Sequence, residues 1–327
     1  MMDASQNTVG VAKAGANIAL MKYWGKRTSN PPGLNLPATS SLSITLDALK
    51  TTTQVKITPG AATDVMILNG QAISDPRVSA FLDLIRIRAD QSGAFCEVRS
   101  ENNFPTAAGL ASSASGFAAL TVAASRAFEL DLTIDELSRY ARQGSGSAPR
   151  SLFGGFAVMH RGQRDDGEDA IAEALMSPED WPLEVVVAIT NQEAKATSST
   201  LGMKHTAQTS PYYDTWVMHN QERFLEARAS VLSKDFEKLA HFAEASTLQM
   251  HASAIAAEPG VLYWQPATMA CLHLIRHLRN EKGVGVFFTV DAGPQVKAVC
   301  LPGASKEVAT MLENIPGVLE VICSGLG

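Results

Sequence analysis

The chain has 327 residues, 46% of them hydrophobic and 18% charged, which suits a folded globular protein rather than a disordered one. A chain of this length buries enough surface to fold without a metal or disulfide, as one large domain or two ordinary ones. Lys and Arg number 27 and Asp and Glu 33, a net charge of −6, which argues against a general nucleic-acid binder but not against a basic pocket for a small anion.

The N-terminus, MMDASQNTVG, has neither a basic n-region nor an apolar h-region, so no signal peptide is expected. KYWGKR at 22–27 follows the apolar NIALM and sets Lys22, Lys26 and Arg27 beside two aromatics. Taken alone, it reads as a solvated basic turn or as cations aimed into a cleft. TTTQVKIT at 51–58 and AFCEVRS at 94–100 read as strands around a helix at 77–90. Residues 104–125 carry no charge and are long enough to span a bilayer, but glycines, a proline and six hydroxyls favour a buried helix over 112–128 behind a glycine-bearing loop. That loop, PTAAGLASSASG at 105–116, lacks the Gly-Lys-Ser/Thr ending of a Walker A loop. Its small residues, hydroxyls and following helix suit either phosphate binding or tight packing.

A helix at 133–142 opens with the capping-box spacing of Thr133 and Glu136. GSGSAPRS at 144–151 offers two serines and the guanidinium of Arg150, chemistry for phosphate or carboxylate capture or a flexible linker. The acidic run 164–169 reads as a solvated face, and turn-rich SPEDWP at 177–182 precedes a strand at 184–190. We expect a lobe boundary near 190. KATSSTLGMKHT at 195–206 is a weaker polar candidate. Helices are expected at 212–232, 235–250, 266–281 and 305–314, and strands at 286–291 and 296–301. The apolar strand FFTVDAGP delivers Asp291 to its end, where a partly desolvated carboxylate suits a general base or a plain turn. His273 and His277 are four apart on a helix with no third ligand in view, so helix packing is favoured over a metal site. Cys96, Cys271, Cys300 and Cys323 show no CxxC spacing, which fits a reducing cytosol. Clustered strands and runs of helices, without βαβ alternation, favour α+β.

In this order the segments resemble the diphosphomevalonate decarboxylases, a branch of the GHMP kinase superfamily. The matching stretches are NIALMKYWGKR (17–27), LPATSSLSITL (36–46), ENNFPTAAGLASSASGFAAL (101–120), GSGSAPRSLFGGF (144–156), SSTLGM (198–203) and FTVDAGP (288–294). The resemblance implies a two-lobed α+β fold with a cleft. A ribosomal-protein-S5-like N-terminal lobe that binds ATP would cover 1–190, and a ferredoxin-like, helical lobe 191–327. It also implies a cytoplasmic homodimer that uses ATP and Mg²⁺ to convert mevalonate 5-diphosphate to isopentenyl diphosphate, CO₂, ADP and phosphate, with no nucleic acid or membrane as partner.

Carried over residue by residue, the resemblance makes Asp291 the catalytic aspartate. Arg150 would hold the substrate carboxylate, and Lys22 would organise the reacting groups. Tyr23, Lys26, Arg77, Ser145, Ser147, Ser199 and Met203 would bind substrate. Pro105, Thr106, Ala108, Gly109, Leu110, Ala111, Ser112, Ser113 and Ser115 would wrap the ATP phosphates, with Ser113 also on the metal. Lys195 and Ser199 would close over the nucleotide, and Asn102 would support the loop or the adenosine. Two departures stand out: Pro149, where many relatives have a small residue or cysteine, and Thr200, where some bacterial relatives have arginine.

Overall fold

Period-two patterning builds the first sheet. Its strands are β1 (Val9–Met21), β2 (Ser41–Ile57), β3 (Val65–Leu68), β4 (Gln71–Ile73), β5 (Cys96–Asn102), β6 (Phe156–Met159) and β7 (Ala172–Met176). The computed structural model describes residues 8–104, 112–193 and 195–327. The order is β4-β3-β5-β2-β6-β7, with β1 on β2. Only the β3–β5 pair is parallel. The long β2 alternates inward and outward through TTTQVKI, as its sequence predicts.

β1 runs the length of β2, from Val9 opposite Lys56 to Met21 opposite Leu42. It was not expected from the sequence, because its contrast is inverted at the start: Ala12 and Ala14 face inward while Val9 and Val11 face solvent. Small inward residues let a helix approach. Among α1 (Pro76–Ala89), α2 (Ser112–Ala127) and α3 (Ile134–Gly144), α2 lies so close to β1 that a Cβ on Gly10 would overlap the carbonyl of Ala123. The run of alanines and serines in α2 is therefore the counterpart of a small-residue strand. No described helix is long and apolar enough to cross a membrane. The capping box of α3 forms as its spacing predicts, with Thr133 and Glu136 each bonding the other's backbone N–H.

The second sheet holds β8 (Glu184–Ile189), β9 (Val286–Val290), β10 (Val296–Cys300) and β11 (Glu320–Gly325), in the antiparallel order β11-β8-β10-β9. The chain leaves the first sheet at Met176 and enters the second at Glu184, one strand before the expected boundary near 190. Against it pack α6 (Phe236–Ile255), α7 (Pro266–Lys282) and α8 (Ser305–Glu313), while α4 (Ser199–Thr209) packs on α5 (Tyr213–Leu232) and α6, and α5 on α6 and the first sheet. His273 and His277 lie on the exposed face of α7, not in its packing. The short strands β3, β4, β6, β7 and β11 were not anticipated, since most give too few residues for a period. The helix α4 hides in a polar run and starts at the Ser198 cap, whose hydroxyl accepts from the Leu201 N–H.

A single core joins the two sheets. Ile18, Leu20, Leu42 and Ile44 of the first meet Val185, Val187, Phe287 and Val299 of the second, closed by Phe224 and Leu239 from α5 and α6. At its edge the Thr289 hydroxyl of β9 donates to the Ala19 carbonyl of β1 at 2.8 Å. This bond brings the end of β1 beside the end of β9. Residues 326–327 also return to the first sheet, where the Gly327 N–H donates to Thr45 O and its carbonyl accepts from the Gly155 N–H.

Candidate active site

A cavity of about 760 Å³ opens between the two halves. Asp291 is the single acidic side chain among its described lining residues, against Lys22, Lys26, Arg77, Arg150 and Lys195. An excess of cations in a cleft raises the local concentration of a polyanion.

Asp291 stands just past β9. Its Oδ1 accepts from Lys22 Nζ at 2.8 Å, and Lys297 Nζ lies 3.5 Å from Oδ2. Burial pushes the carboxyl up, but Lys22, Lys297 and Arg150 outweigh it and hold the group down at about 2. Lys22 is 1% exposed and also donates to Ala19 O and Thr289 Oγ1. Burial drives its ammonium down to about 8, with Asp291 opposing the fall. The backbone of Lys22 is pinned from α5 and α6: its N–H donates to Ser246 Oγ and its carbonyl accepts from Asn220.

Arg150 sits in the 3-10 turn Ala148–Leu152, where Pro149 falls at the start and removes no needed N–H. Its Nη1 donates to Ser41 Oγ at 2.6 Å and its Nη2 to Asn17 Oδ1 at 3.2 Å, while the buried Nε has no partner. No carboxylate reaches ion-pair distance of this 2%-exposed guanidinium among the described residues. Burial lowers it to about 10, opposed by Asp291 and Tyr23. A cation so placed is arranged for an anion that arrives.

Ser145 and Ser147 place their hydroxyls 3.3 Å apart on the same wall. Tyr23 packs against the glycine between them, with its buried hydroxyl unpartnered and its pKa raised by burial. A Cβ at Gly146 would overlap that hydroxyl. Gly146→Ala is therefore expected to cost about 1–3 kcal/mol of stability, as overpacked cores do, and to raise the substrate KM more than it lowers kcat. A thermal melt and steady-state kinetics check both.

Lys26 Nζ donates to Asn35 Oδ1 at 2.7 Å, and burial lowers its pKa. Arg27 turns away to the acidic loop, donating to Arg164 O at 2.7 Å. On the facing side Lys195 Nζ donates to Ser199 Oγ at 2.9 Å and Ala292 O at 2.7 Å. Burial brings Lys195 down to about 8, helped by Lys297 and opposed by Asp291. Met203 and Thr200 complete that wall. At the far end Ser112 and Ser113 present the first turn of α2, and Arg77 is held by Asp75 through Nε and Nη2.

Two expected residues do not reach the cavity. Ser115 is fully buried and bonds Thr51 Oγ1 at 2.7 Å, because it turns to the sheet side of α2. The same Thr51 hydroxyl donates to Asn102 Oδ1 at 2.6 Å, so Asn102 braces β5 against β2 just before the loop it is expected to support. Pro105, Thr106, Ala108, Gly109, Leu110 and Ala111 lie outside the described residues. Among the described residues no three His, Cys, Asp or Glu side chains gather to cage a metal. Serine hydroxyls, one carboxylate and many cations fit a metal carried in on phosphate oxygens and water.

Residues 14–172 match the family model for the diphosphomevalonate decarboxylase-like N-terminal domain, and residues 185–321 that for the mevalonate 5-diphosphate decarboxylase C-terminal domain. The chain belongs to the diphosphomevalonate decarboxylase family. It is 38% identical to the diphosphomevalonate decarboxylase of Candida albicans, over 86% of this chain and 81% of that one. It is 36% identical to that of Homo sapiens, over 93% and 80%. Among solved structures, the mevalonate diphosphate decarboxylase of Staphylococcus aureus superposes with a TM-score of 0.91 at 36% identity, over 98% of this chain and 96% of that one. A chain described as MDDEF in complex with MVAPP, AMPPCP and magnesium gives 0.89 at 38% identity, over 98% of both.

In this family member the motif reading does not single out several residues at the cavity wall or directly behind it. Asn17 bridges Arg150 to the serine turn, donating to Ser147 O at 3.0 Å and Ser151 Oγ at 2.7 Å. Asn35 ties Lys26 to the end of α3 through the carbonyls of Arg142 and Gln143. Ser41 supports Arg150. Their signal was their place inside or beside the matched stretches. Lys297 had a different signal, a lone charge within the apolar strand VKAVC.

Proposed function

We propose that this chain catalyses the ATP-dependent decarboxylation of mevalonate 5-diphosphate to isopentenyl diphosphate, CO₂, ADP and phosphate, with Mg²⁺ accompanying the nucleotide. The observation that carries this reading is the carboxylate of Asp291, the one acidic side chain among the described lining residues, set among cations from four separate stretches of chain. The names of the relatives and the ligands of MDDEF support it.

The tertiary C3 hydroxyl of the substrate is a poor leaving group, and phosphorylation makes it a good one. Asp291, held ionised, accepts or orients the hydroxyl proton. Arg150 holds the substrate carboxylate in the plane its fork selects. Tyr23, Lys26, Arg77, Ser145 and Ser147 hold the diphosphate end. Ser112 and Ser113 at the head of α2, with Lys195 and Ser199 opposite, hold the ATP phosphates. Bound Mg²⁺ would neutralise phosphate charge, with the Ser113 hydroxyl among its ligands. After the C3 phosphate leaves, the C1–C2 bonding pair becomes the new double bond and CO₂ departs. Carboxylate charge near C3 stabilises the positive character that develops there. Four free cysteines, three of them buried, fit a reducing compartment. A cytosolic homodimer is the assembly we infer, on the resemblance alone.

The test is a product assay with mevalonate 5-diphosphate, ATP and Mg²⁺. ADP and CO₂ are expected one to one, with kcat/KM falling above pH 8 as Lys22 and Lys195 lose their protons. ADP without CO₂ would make the protein a C3 kinase and reject the role given to Arg150.

A further inference from the structure

Asp291 is flanked by two ammonium groups, one on each oxygen. Lys22 has used its three N–H bonds on Ala19 O, Thr289 Oγ1 and Asp291 Oδ1. Oδ2 is buried and has no hydrogen-bond partner. Lys297 Nζ stands 3.5 Å from that oxygen, and the 21% of the Asp291 side chain that is exposed lies elsewhere on it.

Lys297 is the second residue of β10 and is 1% exposed. Its neighbours Val296, Ala298, Val299 and Cys300 are all buried. An ammonium in such a strand is strongly disfavoured unless it has an electrostatic purpose. The strand register supplies the geometry. Lys297 lies directly opposite Thr289, so both side chains leave the same face of the sheet. Thr289 meets Lys22 on the Oδ1 side, and Lys297 reaches Oδ2. The pair brackets one carboxylate.

We propose that Lys297 is a positioning residue of the reaction, which holds the buried Oδ2 of Asp291 and so fixes the carboxylate whose exposed part meets the incoming hydroxyl. The proposal rests on Asp291 acting as the base. As the C3 oxygen attacks the terminal phosphorus of ATP, its O–H bond breaks and the P–O bond to ADP breaks. The proton passes to the Asp291 carboxylate. An acid beside an ammonium gives its proton up readily, so it moves on to the phosphate that later departs. The charged groups facing Asp291 are Lys22 just past β1, Lys297 from β10 and Arg150 from the 3-10 turn, with Lys195 before α4; His251 on α6 also faces it, kept neutral by burial, which lowers its pKa to about 3. Of these, Lys22 and Lys297 alone reach ion-pair distance among the described residues. Lys297 also depresses Lys22 and Lys195.

The experiment compares Lys297→Met, Lys297→Arg and Asp291→Asn by kcat, KM and the pH profile of kcat/KM. In Lys297→Met, kcat is expected to fall roughly tenfold, the low end for a group that aids proton transfer, with the KM for ATP little changed. Removing a positive charge lets Lys22 and Lys195 keep their protons longer, so the alkaline limb moves to higher pH. Lys297→Arg should restore the limb. If methionine disturbs the fold, seen as a lowered Tm, Lys297→Gln carries the same expectations. A limb that stays in place, or a kcat within twofold of wild type, overturns the proposal. An active Asp291→Asn overturns instead the reading of Asp291 as base, whatever Lys297 does.

Discussion

Asp291→Asn is expected to lower kcat by roughly 10³-fold, within the range for a positioned proton acceptor. Asparagine keeps the shape but cannot take a proton. It also removes the negative charge that Lys22, Lys297 and Arg150 act upon. Removing one partner of a buried pair leaves the other charge uncompensated, so the variant should melt earlier and regain stability when phosphate anions bind. The sign of the pH dependence follows from the lowered carboxyl. Its folded value, about 2, lies below that of an unfolded aspartate. Its contribution to stability is therefore present above about pH 4 and is lost as pH falls toward the folded value. In the variant this acid-sensitive component disappears. Kinetics with melts from pH 3 to 8 measure both effects, and a kcat within threefold of wild type would refute the assignment of the base.

Arg150→Lys should lower kcat/KM by about 10²–10³-fold, equivalent to two lost charge-assisted hydrogen bonds. The charge survives the exchange but the fork does not. Ser41 and Asn17 hold the two terminal nitrogens of the guanidinium in one plane, and a lysine offers a point charge with no plane to hold. The loss should appear as a raised KM for mevalonate 5-diphosphate and a lowered kcat, with the KM for ATP nearly unchanged. Ser41→Ala should show a weaker version of the same pattern. Were Arg150→Lys to leave the substrate KM untouched, carboxylate capture would have to be assigned to another cation.

Much of this protein is written in local pattern. The alternation of TTTQVKI determines β2, and the spacing of Thr133 and Glu136 determines where α3 starts. The apolar runs at 184–190, 286–291 and 296–301 determine three of the four strands of the second sheet. The matched stretches carried the family, and with it Lys22, Arg150 and Asp291. Such features are legible because periodicity and capping involve residues within a few positions of one another.

Tertiary structure decided the rest. Ser113 and Ser115 are two positions apart with the same chemistry, yet one lines the cavity and the other bonds β2. The helix turns by a fixed angle per residue, but which face meets the cavity is set by β1. Asn17, Asn35 and Ser41 became site residues only when the 3-10 turn and the end of α3 came to rest against them. Lys297 is six residues from Asp291 in the chain, but the β9–β10 hairpin folds it back to within 3.5 Å of Oδ2. Charges act through distance and the dielectric between them, and neither quantity exists until the two sheets close on a common core.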